Sequence, residues 1–317
     1  MSPAYEEIAG AHARIAPWVY RTPLEPSPWL SQAAGCEVRL KLECWQRTRS
    51  FKVRGALNAV ATLSAEERAR GLVTASAGNH GQGVAFAARM HGARCLIFVP
   101  ENASELKVGR MRALGAEVRH AGANYDEAAE AAHAFATGAG AHYVHAFSDP
   151  AVVAGQGTVG IEIADELCVG EALVPVGGGG LIAGLGTALR HGNAEARVFG
   201  VQTPPASSMY ESFRAGRAVT TGLGEHTIAD GLHGGVDQAS YERARAVVHE
   251  MVLVEESELP GAIRELYRHH GVVAEPSAAV GVALLLSGRL RLRGPVAVVI
   301  TGGNIDPKRL ASFLSAD

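Results

Sequence analysis

A chain of 317 residues, 47% of them hydrophobic and 19% charged, is long enough to bury a sizeable core and to form two lobes. Its formal charge of −3 leaves no basic footprint for a nucleic acid, and its longest uncharged apolar run, Ala278 to Leu286, is too short to span a bilayer. The residues up to Ile15 carry Glu6 and Glu7 and no apolar block of a leader, and the cysteines (Cys36, Cys44, Cys95, Cys168) form no CxxC pair, which points to reduced thiols in a cytoplasmic protein.

Residues 4 to 16 read as a helix, and Tyr20 to Pro28, punctuated by three prolines, as extended or turning chain. Val38 to Glu43 alternates like a strand and leads to Ser50-Phe51-Lys52-Val53-Arg54-Gly55-Ala56. Ser50 is placed to cap a helix over Lys52 to Leu63, with Val53, Ala56, Leu57, Val60 and Leu63 on one side. A lysine in that first turn faces the positive end of the helix dipole, which favours the neutral amine. A neutral lysine amine can form a Schiff base with a carbonyl cofactor such as pyridoxal phosphate. A solvated surface lysine fits this heptapeptide equally well.

Leu72 to Ala75 reads as a short strand, followed by Ser76-Ala77-Gly78-Asn79-His80-Gly81 and by helical spacing from Gln82 to His91. Free backbone N–H groups converge at such a turn, so a substrate carboxylate would fit it; an ordinary βα turn has the same composition. Strand-like Cys95 to Pro100, helix Glu105 to Leu114, strand Glu117 to His120, helix Tyr125 to Thr137 and strand His142 to His145 continue a βαβα alternation. That order implies a parallel sheet with right-handed crossovers. Ala146 to Pro150 reads as the hinge out of this lobe, with a helix from Gly155 to Leu167 beyond it.

Glu171 to Val176 then runs into Gly177-Gly178-Gly179-Gly180-Leu181 and a helix to about Arg190. Four glycines between a buried strand and a helix are costly in entropy, and they let backbone amides close around a phosphate. Gly178, Gly180 and Ala183 also satisfy a relaxed dinucleotide spacing, but the following strand, Arg197 to Val201, ends in Gln202 rather than in the acid that would hold a ribose. Thr227 to Leu232 is turn-rich, residues 257 to 269 read as a helix, and Glu275-Pro276-Ser277 opens another. Val296 to Ile300 is a buried strand ending at Thr301-Gly302-Gly303-Asn304, where open α/β sheets place ligands and where a threonine hydroxyl can meet a ring nitrogen.

The set SFKVRGA, SAGNHGQG, AGQGT, PVGGGGLIAG, TIADGL, EPSAA and TGGN, in order along nearly the whole chain, resembles the threonine/serine dehydratase and serine racemase family, pyridoxal-phosphate enzymes of fold type II. The resemblance implies an α/β fold like the tryptophan synthase β subunit, with two open twisted sheets flanked by helices. The large domain would be residues 1–69 and 150–317, and the small mobile domain residues 70–149. It implies Lys52 as the Schiff-base lysine, Phe51 against the pyridine ring, and Asn79 on the phenolic oxygen. Gly177, Gly178, Gly179, Gly180 and Leu181 would hold the phosphate, and Thr301, where the family usually has serine, the pyridine nitrogen. Ser76, Ala77, Gly78, Asn79 and His80 would hold the substrate carboxylate. The implied reaction is dehydration and deamination of a β-hydroxy amino acid such as L-threonine or L-serine. The implied assembly is a homodimer acting on small amino acids, with no nucleic-acid or membrane partner.

Departures from the pattern refine this. Racemases of the family carry serine where Ala77 stands, so little racemisation is expected. The family's cation site usually has two acids where Gln202 and Ser208 stand, with Ala206 between them, so no metal is expected. Arg49 replaces a family glycine and is expected to face solvent or a subunit contact, with an acidic substrate tail as the alternative. Trp45 is expected in the core, with the wall of the site as the alternative. Only about a dozen residues follow TGGN, so no regulatory C-terminal domain is expected. Dehydratases for threo-3-hydroxyaspartate or phenylserine, a racemase, and a non-catalytic cofactor-binding protein are the other readings.

Overall fold

The computed structural model describes residues 3–220 and 227–315. Its strands, in chain order, are β1 (Leu24–Pro26), β2 (Val38–Lys41), β3 (Leu72–Ala75), β4 (Cys95–Val99), β5 (Glu117–His120), β6 (His142–Tyr143), β7 (Glu171–Pro175), β8 (Arg197–Gln202), β9 (Val248–Leu253) and β10 (Val296–Val299). They form two sheets. A six-stranded sheet runs β1-β2-β10-β7-β8-β9, and a four-stranded sheet β5-β4-β3-β6. All pairings are parallel except β1 on β2, where the proline-punctuated stretch supplies an antiparallel edge strand.

The central strands read as unbroken apolar runs because both faces are covered. One face of the large sheet packs Leu40, Leu173, Phe199 and Val298 against the helices Leu259–His270 and Pro276–Leu286. The other packs Ala172, Val174 and Val299 against Val159, Ile163, Ile182 and Leu185 of the helices Pro150–Glu166 and Gly180–Gly192. In the small sheet, Ile97 and Val99 meet Val53, Leu57 and Val60 of the helix Lys52–Thr62. Its opposite face is covered by Ala132 and Ala136 of Tyr125–Ala139, an alanine-rich surface helix as its composition suggests.

Several local expectations are corrected. Ser50 does not cap the lysine helix: Phe51 stands at the cap with helical dihedrals, and the Ser50 hydroxyl is buried without a partner. Ser50 is instead bridged to Gly302, which pins the lysine helix to the end of β10. The helix read from Gly155 begins at Pro150, because Asp149 accepts from the N–H of Ala151 at 2.8 Å and caps it. Its glycines are places of close approach: a Cβ on Gly155 would stand 2.6 Å from the carbonyl oxygen of Arg54, and one on Gly184 would stand 2.4 Å from that of Val153. Three helices thus touch backbone to backbone beneath Lys52. Trp45 is 49% exposed rather than in the core. Arg49, by contrast, faces solvent as expected, with φ of 58°, a left-handed conformation that explains why glycine suits this position.

Candidate active site

The site lies where the carboxyl ends of β3, β7 and β10 meet the N-terminus of the lysine helix. The amide of Phe51 donates to the carbonyl oxygen of Thr301 at 3.1 Å, so the end of β10 fixes where the lysine helix starts. A cavity of about 420 Å³ opens there, lined by Phe51, Lys52, the turn Ser76–His80, the loop Gly177–Leu181, Glu275 and Thr301. It therefore gathers every residue that the family resemblance implies for cofactor or substrate carboxylate, whereas Arg49, the alternative contact for an acidic substrate tail, does not line it.

Lys52 is the only one of the chain's four lysines suited to nucleophilic work. Lys41 is fully buried against Glu162 at 2.7 Å, Lys107 pairs with Asp230 at 2.6 Å, and Lys308 is exposed. The Nζ of Lys52 lies in the cavity wall, donates to the carbonyl oxygen of Ala146 at 3.0 Å, and stands 5.3 Å from the centroid of the Phe51 ring. Burial lowers its pKa from 10.5 to about 8. The neutral amine is thus favoured, as the sequence suggested, with desolvation as the cause.

The turn after β3 offers hydrogen-bond donors to the cavity. The hydroxyl oxygen of Ser76 accepts from the N–H of Gly78 at 3.1 Å, which leaves the Ser76 O–H free to donate. The helix Asn79–Met90 starts here, and the first amides of a helix have no partner within it. His80 is different. Its Nε2 lies 3.0 Å from the carbonyl oxygen of Val144, which can only accept, so Nε2 carries the proton and Nδ1 is a bare, buried acceptor. Burial and the nearby Lys52 push its pKa down to about 3. A neutral ring with that tautomer offers no side-chain donor to a carboxylate; only the His80 amide can serve.

The glycine loop follows β7 and opens the helix Gly180–Gly192. Gly179 has φ of +89°, and a Cβ on Gly178 would fall 2.3 Å from the ring of Phe147. This backbone can be approached closely only because the loop has no side chains, and the helix N-terminus behind it favours a phosphate. Amides at a helix start, a desolvated lysine amine and a hydroxyl at a strand's end therefore fit pyridoxal phosphate.

Other residues here escaped the sequence reading. Glu275 accepts from Asn79 Nδ2 at 2.7 Å, and Asn304 Nδ2 donates to Asn79 Oδ1 at 2.7 Å. Burial, with Asp230 adding to it, raises the Glu275 pKa to about 7. Lys107 and Asp230 pair across the mouth, and Phe147 lies against the glycine loop. The EPSAA and TGGN motifs contained the signal for Glu275 and Asn304, but nothing local tells that both converge on Asn79.

The model of the pyridoxal-phosphate dependent enzyme family matches residues 15–302. The chain belongs to this family. It is 47% identical to an L-threonine ammonia-lyase of Thermotoga maritima over 304 residues, 95% of this chain and 75% of that protein. Among solved structures, maize serine racemase superposes with a TM-score of 0.94 at 30% identity, covering 98% of this chain and 97% of that one. The processed form of threonine deaminase isoform 2 from Solanum lycopersicum superposes with a TM-score of 0.90 at 32% identity, covering 99% of this chain and 89% of that one. The architecture is fold type II, with a large and a small domain, and within the family the chain falls in the threonine/serine dehydratase and racemase group. Among the described residues no helix is long and apolar enough to cross a membrane.

Proposed function

We propose that this enzyme dehydrates and deaminates a β-hydroxy amino acid such as L-threonine or L-serine, giving a 2-oxo acid and ammonia. The observation that carries the reading is the position of Lys52, a desolvated amine between an anion-binding turn and a glycine cradle. Bound there, pyridoxal phosphate supplies the electron sink for charge developing at the α-carbon. The protein's residues do the rest. The amides of Gly177, Gly178, Gly179, Gly180 and Leu181 would hold the phosphate, Phe51 would pack on the ring, and Asn79 would donate to the phenolic oxygen. Ser76, Ala77, Gly78, Asn79 and His80 hold the substrate carboxylate through the Ser76 hydroxyl and backbone N–H groups. Lys52, in the cavity wall, would be the base that takes the α-proton of the substrate.

Two neutral residues bias the outcome. The hydroxyl of Thr301 cannot hold a ring proton as a carboxylate would, which weakens the sink and suits prompt loss of the β-hydroxyl over a long-lived carbanion. Ala77, in the cavity wall where racemases of the family carry serine, cannot return a proton to the opposite face. Residues 70–149 form the lobe that closes over the substrate, the Lys107–Asp230 pair latching it onto the body made of residues 1–69 and 150–317. The assembly is a homodimer, to be checked by sedimentation, and the compartment is the cytoplasm.

Ammonia release from threonine, serine, threo-3-hydroxyaspartate and phenylserine, with chiral analysis of residual serine, tests the reading. Turnover of threonine or serine with little D-serine is expected. Rapid D-serine formation would make it a racemase, and no ammonia from any of the four would sink the lyase assignment.

A further inference from the structure

We infer that Glu275 and Asn304 are positioning residues that fix which end of the Asn79 amide faces the cofactor, with Arg110 of the small lobe holding Asn304 in register. The inference rests on the cofactor reading above. Two neighbours of Asn304 have fixed hydrogen-bonding roles. The carbonyl oxygen of Thr48 can only accept, and it lies 2.8 Å from one end of the Asn304 amide. The guanidinium of Arg110 can only donate, and its Nη1 lies 2.9 Å from the other end. Asn304 is therefore held from both sides, with Nδ2 towards Thr48 and Oδ1 towards Arg110.

The second hydrogen on Asn304 Nδ2 meets Asn79 2.7 Å away, so the oxygen of the Asn79 amide must face Asn304. Its nitrogen then faces Glu275, whose Oε1 accepts at 2.7 Å. One hydrogen on Asn79 Nδ2 is spent on Glu275, and the other remains for the cavity that Asn79 lines. The polarity of this chain, set at Thr48 and Arg110, thus presents an N–H rather than a lone pair to the phenolic oxygen.

The burial pattern fits a positioning role. Glu275 and Asn304 are 6% and 5% exposed, whereas Asn79 is half-buried at the cavity. Arg110 sits on the helix Glu105–Ala113 of the small lobe, so the chain also joins the two lobes at the cofactor. An N–H donated to the phenolic oxygen favours its ionised form, and a flipped amide would favour the protonated one.

The test is spectroscopic and uses the holoenzyme. Asn304→Asp keeps the shape but replaces a donor by an acceptor. Glu275→Gln keeps an acceptor for Asn79, whereas Glu275→Leu removes it. In Asn304→Asp and Glu275→Leu the long-wavelength cofactor band should give way to the short-wavelength band of the form protonated on oxygen. Cofactor dissociation constants should rise about tenfold, what one hydrogen bond to an ionised oxygen is worth. Glu275→Gln should keep the wild-type spectrum. A folded Asn304→Asp protein with unchanged band ratio and unchanged cofactor affinity would overturn the inference. Should Asn304→Asp or Glu275→Leu not fold, Arg110→Met on the half-buried lobe helix decides: a band shift in the same direction supports the relay, and an unchanged spectrum overturns it. A wild-type protein without any visible cofactor band would count against the cofactor reading instead, and would show before any variant is made.

Discussion

The amine of Lys52 is held by the carbonyl oxygen of Ala146, 3.0 Å away, and no carboxylate pairs with it among the described residues. Ala146 lies between β6 and the helix Pro150–Glu166, so the lysine is tied to that connection as well as to its own helix. An amine so placed has a donor role to fill but no anion to keep it charged, and burial brings its pKa to about 8. The nucleophile is the neutral form, whose fraction grows tenfold per pH unit below the pKa and levels off above it. Capture of pyridoxal phosphate by the apoenzyme should therefore speed up towards pH 8 and flatten beyond it. Stopped-flow absorbance reads this directly; a rate still climbing at pH 10 would mean that the lysine titrates near its ordinary 10.5.

The glycine loop makes a second prediction. A methyl group on Gly178 would collide with the ring of Phe147, 2.3 Å away. Gly178→Ala should weaken cofactor binding about tenfold or more, in line with the roughly 1–3 kcal/mol cost of overpacking. Phe147→Ala in the same chain should restore part of it. Equilibrium titration of the apoenzymes checks both, and a Gly178→Ala protein that binds normally would mean that the loop is not the cradle.

Behind the site, Arg54 bridges Glu43 and Glu162, each at 2.7 Å, while Lys41 bonds the other oxygen of Glu162 at 2.7 Å, and none of these side chains is more than 2% exposed. Two cations and two anions balance, so the group is neutral as a whole, but any single loss strands a charge. Glu162→Gln should cost about 3–5 kcal/mol of folding stability, measured by urea unfolding of the apoenzyme. A cost below about 1 kcal/mol would mean that water or rearrangement relieves the stranded cations. Because Arg54 follows Lys52 by two residues, this group also sets the register of the lysine helix.

A fourth expectation concerns metal ions. Gln202 spends its amide on the backbone, donating to the carbonyl oxygen of Val176 at 3.0 Å and accepting from the N–H of Tyr210 at 2.8 Å. The Ser208 hydroxyl donates to the carbonyl oxygen of Gly234 at 2.7 Å. These two positions carry no anionic ligand for a hard cation, so activity should survive EDTA and gain nothing from Mg²⁺. Loss with EDTA and recovery with Mg²⁺ would place a cation on other oxygens of the same loop.

What the sequence made legible followed from local periodicity and composition. The strands from Leu72, Cys95, Glu117, Glu171 and Val296 announce themselves as apolar or alternating runs, and the four glycines mark the loop they form. The strand Val248–Leu253 did not, because an edge position leaves His249 and Glu250 exposed and dilutes the pattern. Ser50 looked like a cap because capping is a local rule; its pairing with Gly302 is a contact across most of the chain. Gly155 reads as a helix start, but it lies inside the helix, where close packing on Arg54 selects the same small residue. The partners of Asn79 lie 196 and 225 residues away, beyond any spacing argument.

The central claim is that the amine at position 52 is the one bonded to the cofactor. Borohydride reduction of the holoenzyme, followed by proteolysis and mass mapping, reads that bond directly. A single pyridoxyl label is expected on the peptide containing Lys52, with Lys41, Lys107 and Lys308 unmodified. A label on one of those three, or on no peptide at all, would contradict it.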